Sequence, residues 1–596
     1  MKQNSPLSLC YYLYHNIASL GHRKTFWLLT IANIVMAIAE LAVAGCVSLL
    51  GLSMAVPEKL QTLPFFVQIF NLNTARDSSM QLRVVAIVLA LVVISTVLKN
   101  IFLAGLTWKQ TCFSQTMASV TITSLYKMIL YAPYSWHLDQ RVATMQQHLF
   151  WKGQVSGFVV GVLTLITQFV VVVFLLLGAI TVGKMWALFF FMVIGFFGYL
   201  LHRTVKYFSY RLGMEAQEID IYCANLSQQS IVSIKEIFIY DRRLQLLKLY
   251  TNVQPKLIKN LSLINFFSPL PLWVLESVGM ILLLSVFLFF IFTGQPAESS
   301  IGVLMTLTAT AWRLLPAANK ALGAVFSIKA VYPQVESIIL MLSDHPKESE
   351  TSREVVSFNS SIELKKVNYC YPNSNADALK DISFYIGKGQ SIGIIGKSGA
   401  GKSTLLNILC GLVTPANGSV CFDGHVIDAN HVRLRIGYVP QHIQLFNASL
   451  AENIAFSCLG EPLNEERVLE CCKMAAIDFV DSLPEGIHSS LGENGVRLSG
   501  GQIQRVGIAR ALYDQPDILI FDEATSALDS ATEMAIQATI SEFKHNITML
   551  IIAHRLTTVK DCDIIYWIDE GKIRMAGKQE EVLSAYGRFQ EQKVSS

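Results

Sequence analysis

Hydrophobic residues are unevenly distributed along the 596-residue chain. Long apolar runs crowd the first 330 residues, at 25–54, 84–107, 157–180, 186–202, 264–293 and 301–330. A helix needs roughly 20 apolar residues to cross about 30 Å of hydrocarbon, so these runs read as six membrane spans. The fourth is short, and the link Thr181–Met185 before it fits a tight hairpin between spans three and four. The first run is too long for a cleavable leader and has no small-residue cleavage site near its end.

Polar patterning fills in the connections. Glu215, Glu218, Ile221 and Asn225 form a polar helix-like run, and Ser233-Ile-Lys-Glu236 continues it. Such extensions either carry force between a membrane body and a soluble motor or are merely a solvated face. The loop Pro57–Leu82 contains an apolar segment, Leu63–Leu72, too short to span. It lies in the membrane interface or packs against the spans. Lys and Arg number 16 on the side of the N-terminus, residues 108–156 and residues 203–263, against 4 on the other side. The positive-inside bias then places both termini and the two long loops in the cytoplasm.

The pattern changes after Leu342. Ser343-Asp-His-Pro-Lys-Glu begins a polar linker, and from residue 358 short β-rich runs alternate with helix-like ones. Ser391–Ile395 reads as a buried strand, Ser403–Leu412 as a helix and Ile518–Phe521 as another strand. The expected architecture is an α-helical six-span transmembrane domain (1–342), a linker (343–357) and an α/β P-loop NTPase cassette (358–596).

Composition agrees and adds exclusions. The chain is 52% hydrophobic and 15% charged, whereas soluble domains carry about a quarter charged residues. That excludes a disordered chain and a wholly water-solvated one. A net charge of +3 is too small to argue for nucleic acid. The 11 cysteines include no C-x-x-C pair, and adjacent Cys471 and Cys472 do not make a metal clamp. They read as buried small hydrophobes in a reducing compartment. The N-x-S sequences at Asn417 and Asn447 fall in the cytosolic half, where glycosylation is not expected.

The candidate chemistry is phosphate chemistry. Gly396-Lys397-Ser398-Gly399-Ala400-Gly401-Lys402-Ser403 matches G-x-x-x-x-G-K-[ST] after a strand and before a helix, with Thr404 next in line. Glycines let backbone amides close around phosphate, and the helix N-terminus adds partial positive charge. Lys402 is expected to reach the β- and γ-phosphates of ATP, and Ser403 to ligate Mg²⁺. Asp522 ends an apolar strand and suits the Mg²⁺ shell. Glu523 follows it, where it can act as general base towards the attacking water.

Between these motifs stands Leu498-Ser499-Gly500-Gly501-Gln502, which resembles the signature of ATP-binding cassette (ABC) transporters. Other residues follow the family's order. Tyr371 resembles the aromatic that stacks on adenine, and Gln441 the Q-loop glutamine, which implies a place in the metal shell. Ser526-Ala-Leu-Asp529 resembles the D-loop, and His554 the switch histidine that contacts the γ-phosphate. Gly492-Glu493-Asn-Gly495 resembles the exporter loop that touches the coupling helices. The layout resembles an exporter-type half-transporter. Because the family sandwiches ATP between the P-loop of one cassette and the signature of another, a homodimer is implied. Alternating access, driven by cassette closure and reset by hydrolysis, is the implied mechanism.

The cargo lies elsewhere. Glu40, Lys99, Glu276 and Arg313 are costly ionisable residues within the spans. Lys99 and Arg313 either face a cavity and hold a phosphate group, or Lys99 pairs with Glu40 or Glu276 for structure. Pro316 after Arg313 suggests a local break that turns the segment inward. Ala311–Lys320 and Leu275-Glu276 resemble segments of bacterial lipid-linked oligosaccharide flippases, although Leu272 stands where a basic residue is implied. That resemblance implies export of a polyprenyl-pyrophosphate-linked oligosaccharide across the bacterial inner membrane, a plasma membrane. An exporter of lipid A, drugs or peptides is the alternative within the class. An ATP-gated channel or regulator is the alternative outside it.

Overall fold

The computed structural model describes residues 6–55, 78–267, 269–293, 297–343, 354–371, 374, 376–427, 432–456, 462–492, 495, 498–523, 547–553 and 555–594. The chain divides into two compact units. One comprises Met1–Ala132 with Asp139–Glu348; the other comprises Pro133–Leu138 with Ser349–Ser596. The interfacial segment expected at Leu63–Leu72 lies outside the described residues.

The first unit is helical. Its long helices are α1 (Leu20–Ala55), α2 (Ser78–Tyr131), α3 (Lys152–Val232), α4 (Arg243–Phe267), α5 (Leu270–Thr293) and α6 (Ala297–Ser343). Among the described residues five helical stretches are long and apolar enough to cross a membrane, with a shorter apolar one at Met192–Leu201. This is the make-up of a multi-pass membrane protein. The helices outrun their apolar cores: the 54 residues of α2 correspond to about 80 Å.

Prolines decide some boundaries and not others. The fifth apolar run was expected to start at 264, but α4 ends at Phe267 and α5 begins at Leu270. Pro269 and Pro271 cannot donate to a preceding turn, whereas a first helical turn tolerates them. The break expected near Pro316 is not seen, since α6 runs through Pro316 and Pro333. Neighbouring helices can satisfy the carbonyl that a proline frees in an apolar bundle. At Ser233 the expected continuation is instead interrupted, and a separate short helix spans Ile234–Ile239.

Spans three and four belong to one run of helical hydrogen bonding, the 81 residues of α3. The packing nonetheless requires a reversal. Gly161 lies against Ile328 of α6, while Gly213 lies against Ala330 of the same helix. In a straight helix these glycines would stand about 78 Å apart. Val171 and Leu175 share a core with Leu314 and Ala317, so this half runs antiparallel to α6. Ile194 then packs with Ala311, the Ser209 hydroxyl donates to the Phe326 carbonyl at 2.9 Å, and Gln217 reaches Ser337. The second half is therefore parallel to α6, and the chain turns back between Leu175 and Ile194.

The second unit is a layered α/β structure. Its antiparallel sheet is built on β1 (Ser361–Cys370), β2 (Asp377–Gly387) and β4 (Asn417–Phe422) in the order β2-β1-β4, with His425–Val426 at the edge. The main sheet comprises β3 (Ser391–Ile395), β5 (Ile436–Val439), β6 (Ile518–Asp522), β7 (Thr548–Ile552), β8 (Ile564–Asp569) and β9 (Lys572–Gly577). The order is β9-β8-β3-β7-β6-β5, parallel except for β9 against β8. Ile518 and Ile520 join one core and Leu519 and Phe521 the other, so the sheet is covered on both faces. That explains why its strands read as continuous apolar runs rather than alternating ones.

Candidate nucleotide site

Burial fixes the strand from which the P-loop springs. All five residues of β3 are buried, with β7 and β8 paired on either side. Its start is pinned by Asp563, which accepts from the backbone amide and hydroxyl of Ser391, both at 2.9 Å. The loop then passes too close to other backbone for side chains: a Cβ on Gly396 would collide with the Ile568 carbonyl oxygen. Gly401 has φ +105°, and a Cβ there would sit 2.8 Å from the Ala378 carbonyl oxygen. Helix α7 (Lys402–Leu409) starts directly after it, with no side-chain cap on its first turn. Its leading amides have no intrahelical partner and remain available to an anion.

Lys402 is buried at the root of this cradle. Its ammonium donates to the carbonyls of Gly396 at 2.9 Å and Lys397 at 3.1 Å. Burial lowers its pKa, while the carboxylates of Glu523 and Asp522 push the other way. Lys397, Ser398, Gly399 and Ser403 are exposed, whereas Ala400 and Thr404 are buried. Tyr371 is half-buried after β1, and its hydroxyl lies 3.1 Å from the Thr404 hydroxyl. It also meets Tyr369 edge-on.

The acidic pair ends β6. Asp522 accepts a hydrogen bond from the Tyr438 hydroxyl at 3.0 Å. Desolvation raises the pKa of Asp522, partly offset by that hydrogen bond and by Lys402. Glu523 has φ +53°, a left-handed backbone in a non-glycine residue, and its amide donates to Ile552 at 2.9 Å. The structure thus brings Lys402, Asp522 and Glu523 together. Gln441 is exposed in the turn after β5. Among the described residues no cluster of three His, Cys, Asp or Glu side chains suits a metal. Ser403 and Gln441 are exposed and Asp522 is half-buried, and their oxygens are of the hard type that suits Mg²⁺.

Ser499 caps α8 (Gly500–Tyr513) in a capping box with Gln502. The Ser499 hydroxyl accepts from the Gln502 amide at 3.3 Å, and the Gln502 side chain accepts from the Ser499 amide at 2.8 Å. Ser499 and Gly500 are exposed, and Gly501 is half-buried. Among the described residues no hydrogen bond joins Ser499–Gln502 to Gly396–Thr404. The expected residues Ser526–Asp529, Glu493 and His554 lie outside the described residues, as does the side chain of Arg313.

Three residues of this unit carried no sequence signal. Tyr438 is one. Asn453, buried in the helix Leu450–Ile454, donates to Phe446 and Ser449 and accepts from the Phe446 amide. Arg510 on α8 donates to the Asn453 carbonyl at 2.8 Å and the Gln444 carbonyl at 3.1 Å. It ties the signature helix to the segment after Gln441. In the helical unit, Lys99 is buried and donates to Glu40 at 2.9 Å, the structural pairing among the two expected readings. Glu276 is exposed on α5.

Residues 379–526 match the family described as ABC transporter. The chain is 39% identical over 234 residues to the ATP-dependent lipid A-core flippase of Vibrio cholerae, covering 39% of this chain and 40% of that protein. It is 34% identical over 319 residues to the protein of that name from Alkalilimnicola ehrlichii, covering 53% and 54%. For the Pseudomonas aeruginosa protein of that name it is 38% over 284 residues, covering 47% of each. The chain thus matches about half the length of these relatives or less. A solved bacterial Atm1-family ABC exporter with ATP bound superposes with a TM-score of 0.77 at 22% identity, over 94% of this chain and 98% of that one. Residues 379–526 are therefore an ABC transporter domain, carried in a chain with the fold of that ABC exporter.

Proposed function

We propose that the chain hydrolyses ATP to export or flip a lipid-linked substrate, working as a homodimer by alternating access. The observation that carries this is Lys402, buried in a glycine-built cradle beside Asp522 and Glu523. A desolvated ammonium next to uncapped helix amides fits a polyphosphate. Lys402 neutralises charge on the terminal phosphates, and Tyr371 borders the base. Glu523 accepts the proton of the attacking water, with His554 orienting the reacting group. Ser403, Gln441 and Asp522 would hold Mg²⁺, which would supply neutralisation of phosphate charge.

The exposed N-terminus of α8 supports a composite site, since Ser499 and Gly500 are free to face the cradle of a second copy. Asp529 joins the two by resemblance. The proposed location is a plasma membrane, the bacterial inner membrane, with the cassette and both termini cytoplasmic.

For the cargo, the proposal is a lipid bearing a phosphorylated glycan headgroup, with polyprenyl-pyrophosphate oligosaccharide as the first form. Arg313 is the cation proposed to hold the phosphate, because Lys99 is engaged by Glu40. The relatives named lipid A-core flippases favour lipid A as the second form. Both are tested by ATPase activity in nanodiscs, titrated with each lipid and with common drugs. Saturable stimulation by the pyrophosphate lipid, lost in Arg313→Ala with basal activity kept, is expected. Stimulation by lipid A alone selects the second form, and stimulation by drugs alone removes both.

A further inference from the structure

Ahead of the first span the chain forms an elbow: a short helix, Pro6–Tyr12, runs into a π-turn, Leu13–Ile17, and then reverses into α1. The elbow is pinned from α1. Arg23 donates through Nε to the carbonyls of Tyr14 and Ala18, both at 3.1 Å, and its guanidinium lies over the Tyr14 ring. The Trp27 indole donates to the Tyr14 hydroxyl at 3.0 Å. Behind this clasp is a cavity of about 310 Å³, walled by Leu13, Phe26, Phe113, Met117 and Val162 among others. It sits between the elbow, α1, α2 and α3.

This cavity is built for hydrocarbon. Its walls are almost wholly apolar, and the one thiol on them, Cys10, is pushed up to about 11 by burial and stays uncharged. Water needs two or more polar partners to occupy such a space, and these walls do not supply them. The volume is at the small end of ligand pockets, enough for part of one chain and not for a whole lipid.

The mouth says which chain. Trp27 lines the cavity and is also 57% exposed. It heads a stripe of exposed apolar residues down α1, with Leu28, Ile31, Ile34, Val35 and Ile38. That stripe faces hydrocarbon if α1 crosses the bilayer. His22 also lines the cavity, with its Nδ1 3.0 Å from the Ser19 hydroxyl, while the exposed Lys24 precedes Trp27 by three residues on the same side of α1, where aromatic and basic residues meet headgroups. An apolar hole opening onto a lipid-facing stripe, with the Lys24 ammonium beside its mouth, matches a lipid with an anionic head.

We propose that the elbow cavity holds one acyl chain of an anionic glycerophospholipid, with its phosphate beside Lys24, as a resident lipid distinct from the cargo. The lipid fills the space under Tyr14 and holds the elbow against α2 and α3. The proposal rests on α1 crossing the bilayer, and on neither the nucleotide chemistry nor the identity of the cargo.

The test uses the full-length protein in nanodiscs containing phosphatidylglycerol with a diazirine near the end of one acyl chain. After illumination, adducts are mapped by tandem mass spectrometry. Adducts are expected at Phe113, Met117 and Val159–Leu163, enriched over those on the outer stripe. Phosphatidylcholine with the same chain should label these positions less. Val162→Trp, which fills the cavity, should cut cavity labelling roughly ten-fold, because excluding two or three methylenes is enough for that loss. Labelling along Trp27–Ile38 should persist in that variant, and Val159→Phe serves if Val162→Trp does not fold. Adducts confined to the outer stripe would overturn the proposal, as would cavity labelling that survives both substitutions. Displacement of the probe by stoichiometric lipid A or pyrophosphate lipid would make the occupant the cargo and overturn it too. With no adducts even on the stripe, the proposal would fall together with the assignment of α1 as a span.

Discussion

Glu523 holds its carboxylate at the end of β6 through a backbone angle, φ +53°, that L-residues with side chains adopt at a cost of about 1–2 kcal/mol. Its neighbour Asp522 is held by Tyr438, so the two acids leave the strand in fixed and different directions. Replacing Glu523 with Gln keeps the shape and removes the base. ATP binding should survive in Glu523→Gln while turnover falls by about 10²–10⁴-fold; brisk hydrolysis would remove Glu523 from that role. A second residue makes a pH prediction. His148, in the helix Val142–Phe150 ahead of the third span, is buried, packs edge-on against Trp151 and, among the described residues, leaves Nδ1 without a hydrogen-bond partner. Burial pushes its pKa down from 6.5 to about 4. Below about 6.5 the unfolded chain binds a proton that the folded chain refuses, so stability falls as pH drops from 6.5 towards 4. The loss over that window should be about 2–3 kcal/mol. His148→Phe should flatten the fall in melting temperature between neutral pH and about pH 5. An unchanged slope would mean that His148 is not the titrating group.

Elements were legible in the sequence wherever their cause is local. Ser391–Ile395, the glycine turn and the helix after it follow from a short apolar run, a phosphate-loop spacing and a good helix former, and the structure has them. Ser499-x-x-Gln502 was legible as a signature by resemblance, while its capping box is a second, purely local role for the same residues. What was not legible is what distant elements do to one another. Nothing near Arg510 announces Asn453 and Gln444, because those acceptors lie more than fifty residues away in sequence. The fifth span expected from 264 crosses Pro269, where proline chemistry ends the fourth α-helix, and the unbroken course past Pro316 depends on helix packing. The turn between spans three and four is likewise read from tertiary contacts rather than from a break in hydrogen bonding. Those contacts are tight enough to test. A Cβ on Gly213 would collide with the Ala330 carbonyl oxygen, whereas one on Gly198 in the same helix meets nothing. Gly213→Val should therefore destabilise the helical unit by about 1–3 kcal/mol through overpacking. Gly198→Val should leave it nearly unchanged. Equal losses, read by thermal melting, would refute close packing at Gly213.

For the whole molecule, the decisive feature is that one chain carries one P-loop and one signature. If ATP is sandwiched within a chain, each chain hydrolyses alone. If it is sandwiched between chains, each site borrows its signature from the partner, and genetic mixing separates the cases. Consider one chain with Lys402→Ala and another in which Gly501→Glu blocks the face of α8. Every homodimer of either kind has two damaged sites under both schemes. In the mixed dimer the schemes part. With sites between chains, one site combines both lesions, and the other combines an intact P-loop with an intact signature. With sites within a chain, both sites remain damaged. Random assembly of equal amounts makes half the dimers mixed, so rescue to about a quarter of the wild-type ATPase rate is expected if the two sites act independently. Activity no higher than that of either variant alone would refute the composite site, or show that one intact site cannot turn over without the other. Tethering the two variant chains in one polypeptide separates these outcomes. ATP retained by the tethered pair without hydrolysis means that the composite site forms and the two sites are coupled, whereas no retained ATP means that the signature does not act in trans.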